Sequence, residues 1–473
     1  MDAAWLAKVL VERSLAAIYL IGFIVAHNQF RPLCGERGLT PIGDFLERAR
    51  FREAPSLFFY ARTDRAFMLT ARMGIVLALL MLWGLPDRLG TVAYMVIWLV
   101  MWALYLSFVN AGQIFYGFGW ETMLLECGVL AIFLGPSTTA APLPVLWLYR
   151  WLLFRLMFGA GLIKLRGDSC WRDLTCMYFH YETQPMPNPL SRGFHHLPKL
   201  VHRSSVLFTH FVELIVPFAY FAPQPFRGAA GVLTIAFQLL LILSGNLSWL
   251  NWLTIAIAFA CMDFPLVHPV QTEALPNALP PVVIWALFGF VLLRSIRPTL
   301  NLLAREQMMN ASFDPLHLVN TYGAFGSITR ERREIVIEGT LDVVDTPASE
   351  WREYHFKAKP GALAKRGPWI APYHFRLDWL MWFAAMSGPW SHPWVIDLVQ
   401  RLLQNDRATL ALMGPNPFPD APPRRVRAML YAYRFTPPGD PSGHIWERRL
   451  VGPYLRPLSL EDDLFVALSG AHA

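Results

Sequence analysis

The sequence predicts a polytopic α-helical membrane bundle of about nine spans, followed by a C-terminal soluble domain of mostly-β or α+β character. Composition is the first observation behind this. Of 473 residues, 55% are hydrophobic and only 16% charged, with a mean hydropathy of +0.35. Soluble domains run near a quarter charged. The second is the recurrence of apolar stretches close to the roughly 20 residues that cross a bilayer. The third is a shift after Arg297, where the chain becomes charged and Pro-rich and shows alternating patterns.

The opening stretch, "MDAAWLAKVLVERSLAAIYLIGFIVAH", is too long for a signal peptide and lacks a small-residue cleavage site. It reads as a retained first span. Candidate spans lie at 14–30, 66–85, 91–109, 119–135, 145–163, 205–222, 229–246, 248–264 and 280–296. Residues 1–300 therefore form a transmembrane domain, interrupted by two polar loops, 31–65 and 164–204. Residues 310–473 form the soluble domain. Within it "REIVIEGTLDVV" and "WREYHFKAK" carry the period-2 signature of half-buried strands, and "DWLMWFAAM" and "WVIDLVQRLL" read as short helices.

Nine spans put both long loops and the soluble domain on one face. Loop 31–65 holds seven Arg and loop 164–204 six Lys or Arg, against Lys8, Arg13, Arg88 and Arg227 on the other face. The positive-inside rule then places that face in the cytoplasm. The net charge of +7 belongs to membrane-flanking residues. Without a basic patch interleaved with exposed aromatics, it does not point to nucleic acid. Five cysteines are too few for a disulfide scaffold, and only Cys170 and Cys176 are close enough in sequence to suggest pairing. Their five-residue spacer is not the CxxC arrangement of a redox thiol.

Several residues could carry chemistry. Glu121 and Glu126 in "GWETMLLECGVLAIFLGP" and Arg150 and Arg155 in "VLWLYRWLLFRLMFGAGLIKL" sit at membrane depth, where ionisable groups face the bundle interior and pair. Antiparallel packing lets Glu126 reach Arg150 or Arg155, and Glu121 reach Arg155. The cluster either fixes helix register or walls a polar cavity. Lys164 has two readings. One is a lysine snorkelling to the interface. The other is a desolvated amine crowded by Arg150, Arg155 and Arg166, whose neutral form would be a general base. His180 and Tyr181 in "YFHYETQP" could supply proton transfer or substrate contact, and "QPMPNPL" is a rigid extended loop. His195, His196, His202 and the pair His210 and Glu213 lack metal-site spacing, so no metal is expected. No phosphate-binding Gly-rich loop or GxSxG elbow occurs. The soluble domain concentrates Trp, Tyr and Arg, the composition of protein-binding hot spots.

Five blocks in order, "GWETMLLECGVLAIFLGP", "GLIKLRGDSCWRDLTCMYFHYETQPMPNPLS", "WREYHFKAKPG", "GPWIAPYHFRLDWLMWFAAM" and "NPFPDAPPRRVRAMLYAYRFT", resemble the lipase maturation factor family along nearly the whole chain. The resemblance implies a membrane-bound folding factor, without a cofactor, for secreted dimeric lipases. Its C-terminal domain would meet the client, through Trp351, Trp369, Trp379 and Arg376. It also implies that this domain faces the lumen or periplasm, against the charge count. The expected location is an integral one: the endoplasmic-reticulum membrane in a eukaryote, the inner membrane in a bacterium. The compact chain, its short loops and the end "ALSGAHA" point to a bacterial homologue. "GAGLIKLRGDSCW" alone is similar to the AG-x-x-KL…W segment of vitamin K-dependent gamma-carboxylases. That similarity implies, as an alternative, a membrane enzyme with Lys164 as base on a quinone or lipid-like substrate.

Overall fold

The computed structural model describes residues 4–264, 276–344 and 346–465. The extreme ends of the two predicted domains, 1–3 and 466–473, lie outside the described residues. Among the described residues, seven helices are long and apolar enough to cross a membrane. They are α1 (Trp5–Cys34), α2 (Asp64–Trp83), α3 (Thr91–Ala111), α5 (Leu143–Arg166), α6 (Lys199–His210, running on as Lys199–Phe221), α7 (Phe226–Ser244) and α9 (Pro281–Arg294, running on as Pro281–Leu303). Two of the nine predicted spans fold as shorter helices, α4 (Gly119–Ala131) and α8 (Leu250–Ala258). At 1.5 Å per residue, α4 covers about 20 Å of a roughly 30 Å hydrocarbon layer. Both are apolar because protein surrounds them, and composition alone does not separate that case from contact with lipid.

α1 begins earlier than the predicted 14–30 because its N-terminal charges are matched inside the protein. Lys8 Nζ donates to Pro136 O at 2.7 Å and to Thr139 O at 2.8 Å. Thr63 caps α2 by accepting from the Ala66 N–H at 3.3 Å, and Gly84, at φ 77°, ends it in the left-handed conformation.

The C-terminal part is a four-stranded antiparallel sheet of order β2-β1-β3-β4, with β1 (Arg332–Thr340), β2 (Arg352–Tyr354), β3 (Arg425–Phe435) and β4 (Trp446–Leu458). β1 is central and nearly buried on both faces. Helices α10 (Arg376–Ala384) and α11 (Trp394–Leu403) fill out the domain. Of the expected strands, "REIVIEGTLDVV" is extended only as far as Thr340 and "WREYHFKAK" only over Arg352–Tyr354, while both short helices are present.

This domain is bolted to the bundle by buried polar contacts. Arg332 of β1 donates to the carbonyls of Glu182 at 2.9 Å and Pro185 at 3.0 Å, so the rigid proline loop becomes an acceptor site. Gln29 at the end of α1 donates to His374 O at 2.6 Å and accepts the Arg376 N–H at 3.0 Å. Asn246 donates to Pro368 O at 2.9 Å and accepts from the Ile370 N–H at 3.1 Å.

Candidate functional site

Lys164 lies in the last turn of α5, where a cation suits the helix dipole. Opposite it, α6 widens into a π-helical turn, Phe211–Ile215. Pro217 has no N–H to give the Glu213 carbonyl, and the Val216 N–H instead reaches back to Phe211 O. The widened turn aims Glu213 at Lys164. Nζ stands 2.6 Å from Oε1 and 2.7 Å from Oε2, with both side chains buried. The ammonium also lies 5.3 Å from the centre of the Trp171 ring. Cys170 and Cys176 form a disulfide around that tryptophan, and Trp171 Nε1 donates to Phe325 O at 2.8 Å.

Gly161 makes the approach of α5 to α6 possible. A Cβ there would meet Leu214 Cδ2 at 2.7 Å and Glu213 Cβ at 3.0 Å. Gly161→Val is therefore expected to lose about 1–3 kcal/mol by overpacking. Gly193→Val, where a Cβ meets nothing within 4 Å, is the control. Thermal denaturation in detergent separates them; equal melting of the two variants would refute the assignment.

The other predicted residues fall into three groups. Glu126 pairs with Arg155, and it also accepts from the Asn320 N–H at 2.9 Å and from Tyr322 OH at 2.7 Å. This ties α4 and α5 to the segment leading into the sheet. Glu121 pairs not with Arg155 but with Arg376, at 2.7 Å, and accepts from Tyr105 OH. Among the described residues Arg150 reaches no carboxylate; its Nε donates to Ala260 O at 2.7 Å. Arg166 points away, to Leu302 O and Gln307 Oε1, both at 2.9 Å. The crowded lysine of the base reading is therefore not what the fold builds, and neither is a snorkelling one.

His180 and Tyr181 do join Lys164, on a short helix, Met177–Thr183, lining the same cavity. Burial pushes the His180 imidazole down to about 4, and the Lys164 charge adds to this. Arg376 and Trp379 face inward. The Arg376 guanidinium lies 3.5 Å from the Tyr116 ring centre, and Trp379 packs on Trp120 with centroids 4.9 Å apart. Neither offers a surface to a client. Trp351 is half-buried beneath Arg427, and Trp369 is 51% exposed. Glu213 was singled out only with His210, as a pair without metal-site spacing; its place as a carboxylate inside an apolar span, the signal that marks Glu121 and Glu126, could have pointed to a buried ion pair. Asn251, Gln238 and Phe325, which also line the cavity, carry no sequence signal.

Fold and site define an integral membrane protein whose helical bundle holds buried ion pairs and carries an antiparallel-sheet domain on one face. The chain belongs to the lipase maturation factor family: the family's transmembrane domain matches residues 6–268 and its C-terminal domain residues 318–456. It is 44% identical to Lipase maturation factor 1 of Mus musculus, over 97% of this chain and 88% of that protein. It is 43% identical to Lipase maturation factor 1 of Homo sapiens over the same shares. Identity to Lipase maturation factor 2 of Homo sapiens is 28%, over 98% of this chain and 84% of the relative. No solved structure matches.

Proposed function

We propose that the protein is a membrane-embedded maturation factor that helps secreted lipases fold and assemble. The observation that carries this reading is the 44% identity to a Lipase maturation factor 1 across 97% of the chain, through bundle and sheet domain alike. The client would meet the sheet domain and the loops packed against it, at exposed positions such as Trp369 and the rim around Trp351, rather than at Arg376 or Trp379.

The Cys170–Cys176 disulfide supports an oxidising compartment for that face, because such bonds persist in lumenal, periplasmic or extracellular surroundings. We give this more weight than the count of basic residues. The host membrane is then the endoplasmic reticulum of a eukaryote or the inner membrane of a bacterium. We also read α4 and α8 as short crossings. α4 starts beside Trp379 and leads to Thr139, which accepts from Lys8 at the far end of α1.

Lys164, bonded to both oxygens of Glu213, gives the carboxylase-like reading no support. The test is to express a secreted dimeric lipase with and without this chain and measure activity per mole of secreted lipase. A rise of several-fold is expected with the chain present. Unchanged specific activity would remove the lipase role.

A further inference from the structure

The Lys164–Glu213 pair borders a chamber of about 170 Å³ between α5, α6 and α7. Its walls are apolar, with Met157, Phe208 and Phe237 among them. A second chamber of about 500 Å³ lies beneath the sheet domain, between α10 and residues 322–329. Leu156, His180, Leu250, Ala324 and Phe325 line both, so the chambers share one wall.

Polar groups are left over at that wall. Among the described residues, the side chains of His180 and Asn251 find no hydrogen-bond partner, although only 7% and 2% of these residues is exposed. Gln238, 4% exposed, reaches only Met157 Sδ at 3.6 Å. Polar groups that border a cavity in this way are open to pairing with a bound molecule. Phe325 stands in the partition, edge-on to His180 with centroids 5.3 Å apart. Its φ of 54° is a left-handed conformation that bulky side chains avoid and that tends to mark ligand clamps and switch regions.

The chamber opens toward lipid. Leu240 lines it and is 47% exposed, beside Leu239 and Leu243 on the outward face of α7. Charge in the chamber is already balanced, Lys164 against Glu213, so among the described residues that line it an entering carboxylate or phosphate finds no free cation. A hydroxyl both donates and accepts, which is what an imidazole and two amides can match.

We infer that the two chambers form one binding site for an uncharged long-chain lipid with a hydroxyl-bearing head. The lipid enters between α6 and α7, sets its head at His180 and Asn251, and leaves its tail in the first chamber toward the bilayer. This site does not depend on the lipase role.

The test uses the full chain in nanodiscs and a photoreactive, alkyne-tagged monoacylglycerol, with the matching fatty acid as a charged comparison. Labelled peptides are mapped by mass spectrometry. Monoacylglycerol label is expected within 156–164 and 322–329, and to fall about tenfold in His180→Leu, the scale of one lost buried hydrogen bond. Ala160→Trp, which fills the first chamber, is expected to abolish it; should that variant fail to fold, the isosteric Asn251→Leu takes its place. Equal labelling of wild type and variants, stronger labelling by the fatty acid, or label confined to outward-facing residues would each overturn the site.

Discussion

Arg376→Met is expected to cost about 3–5 kcal/mol, the penalty of leaving one member of a buried ion pair without its partner. Arg376 and Glu121 are fully buried, 2.7 Å apart. The guanidinium also donates to Phe115 O at 2.7 Å and faces the Tyr116 ring. Those contacts join α10 of the sheet domain to α4 and the turn before it, so the loss falls on the junction between domain and bundle. Limited trypsin digestion should release the sheet domain from the variant sooner than from wild type, and melting in detergent should shift down. The double variant Glu121→Gln/Arg376→Met removes both charges. It should recover most of the loss, since well-packed neutral replacements of a buried pair come out close to neutral. If the single variant resists trypsin and heat as wild type does, the pair does not hold the domains together.

The Glu126–Arg155 pair was legible because both residues lie on neighbouring antiparallel helices joined by a short loop, where spacing along one fixes position on the other. Glu121–Arg376 was not. Its members sit in different domains, more than half the chain apart, and local periodicity carries no information across that distance. The same limit applied to Lys164. Its two sequence readings assumed either lipid or other cations opposite it, and the actual partner is Glu213, presented by a π turn that Pro217 imposes. Span length was not legible at α4 and α8, because a helix buried in protein and a helix facing lipid are equally apolar. In the sheet domain, "REIVIEG" showed its alternation. The sequences of β3 and β4, "RVRAMLYAYRF" and "WERRLVGPYLRPL", were dense in Arg and aromatics and read as a binding surface. In the fold two of those arginines stack on rings of the same domain: Arg427 covers Trp351 and Arg448 covers Tyr431.

Lys164→Ala should destabilise the bundle by a similar amount, about 3–5 kcal/mol, because Glu213 would be left buried beside an apolar wall. Loss of lipase maturation in that variant would therefore say nothing about chemistry at the lysine. The double variant Lys164→Met/Glu213→Gln separates the two roles. Methionine keeps the length of the lysine stem, glutamine keeps the shape of the carboxylate, and no buried charge remains. Its melting temperature in detergent should return close to that of wild type. If the pair serves only to hold α5 against the π turn of α6, the double variant should raise the specific activity of a co-expressed secreted lipase as well as wild type does. That is the expected result, since both carboxylate oxygens are taken up by the ammonium and none is left to act on a substrate. A double variant that inserts and folds yet leaves the lipase inactive would overturn it, and would assign the ammonium itself a part in the work of the protein.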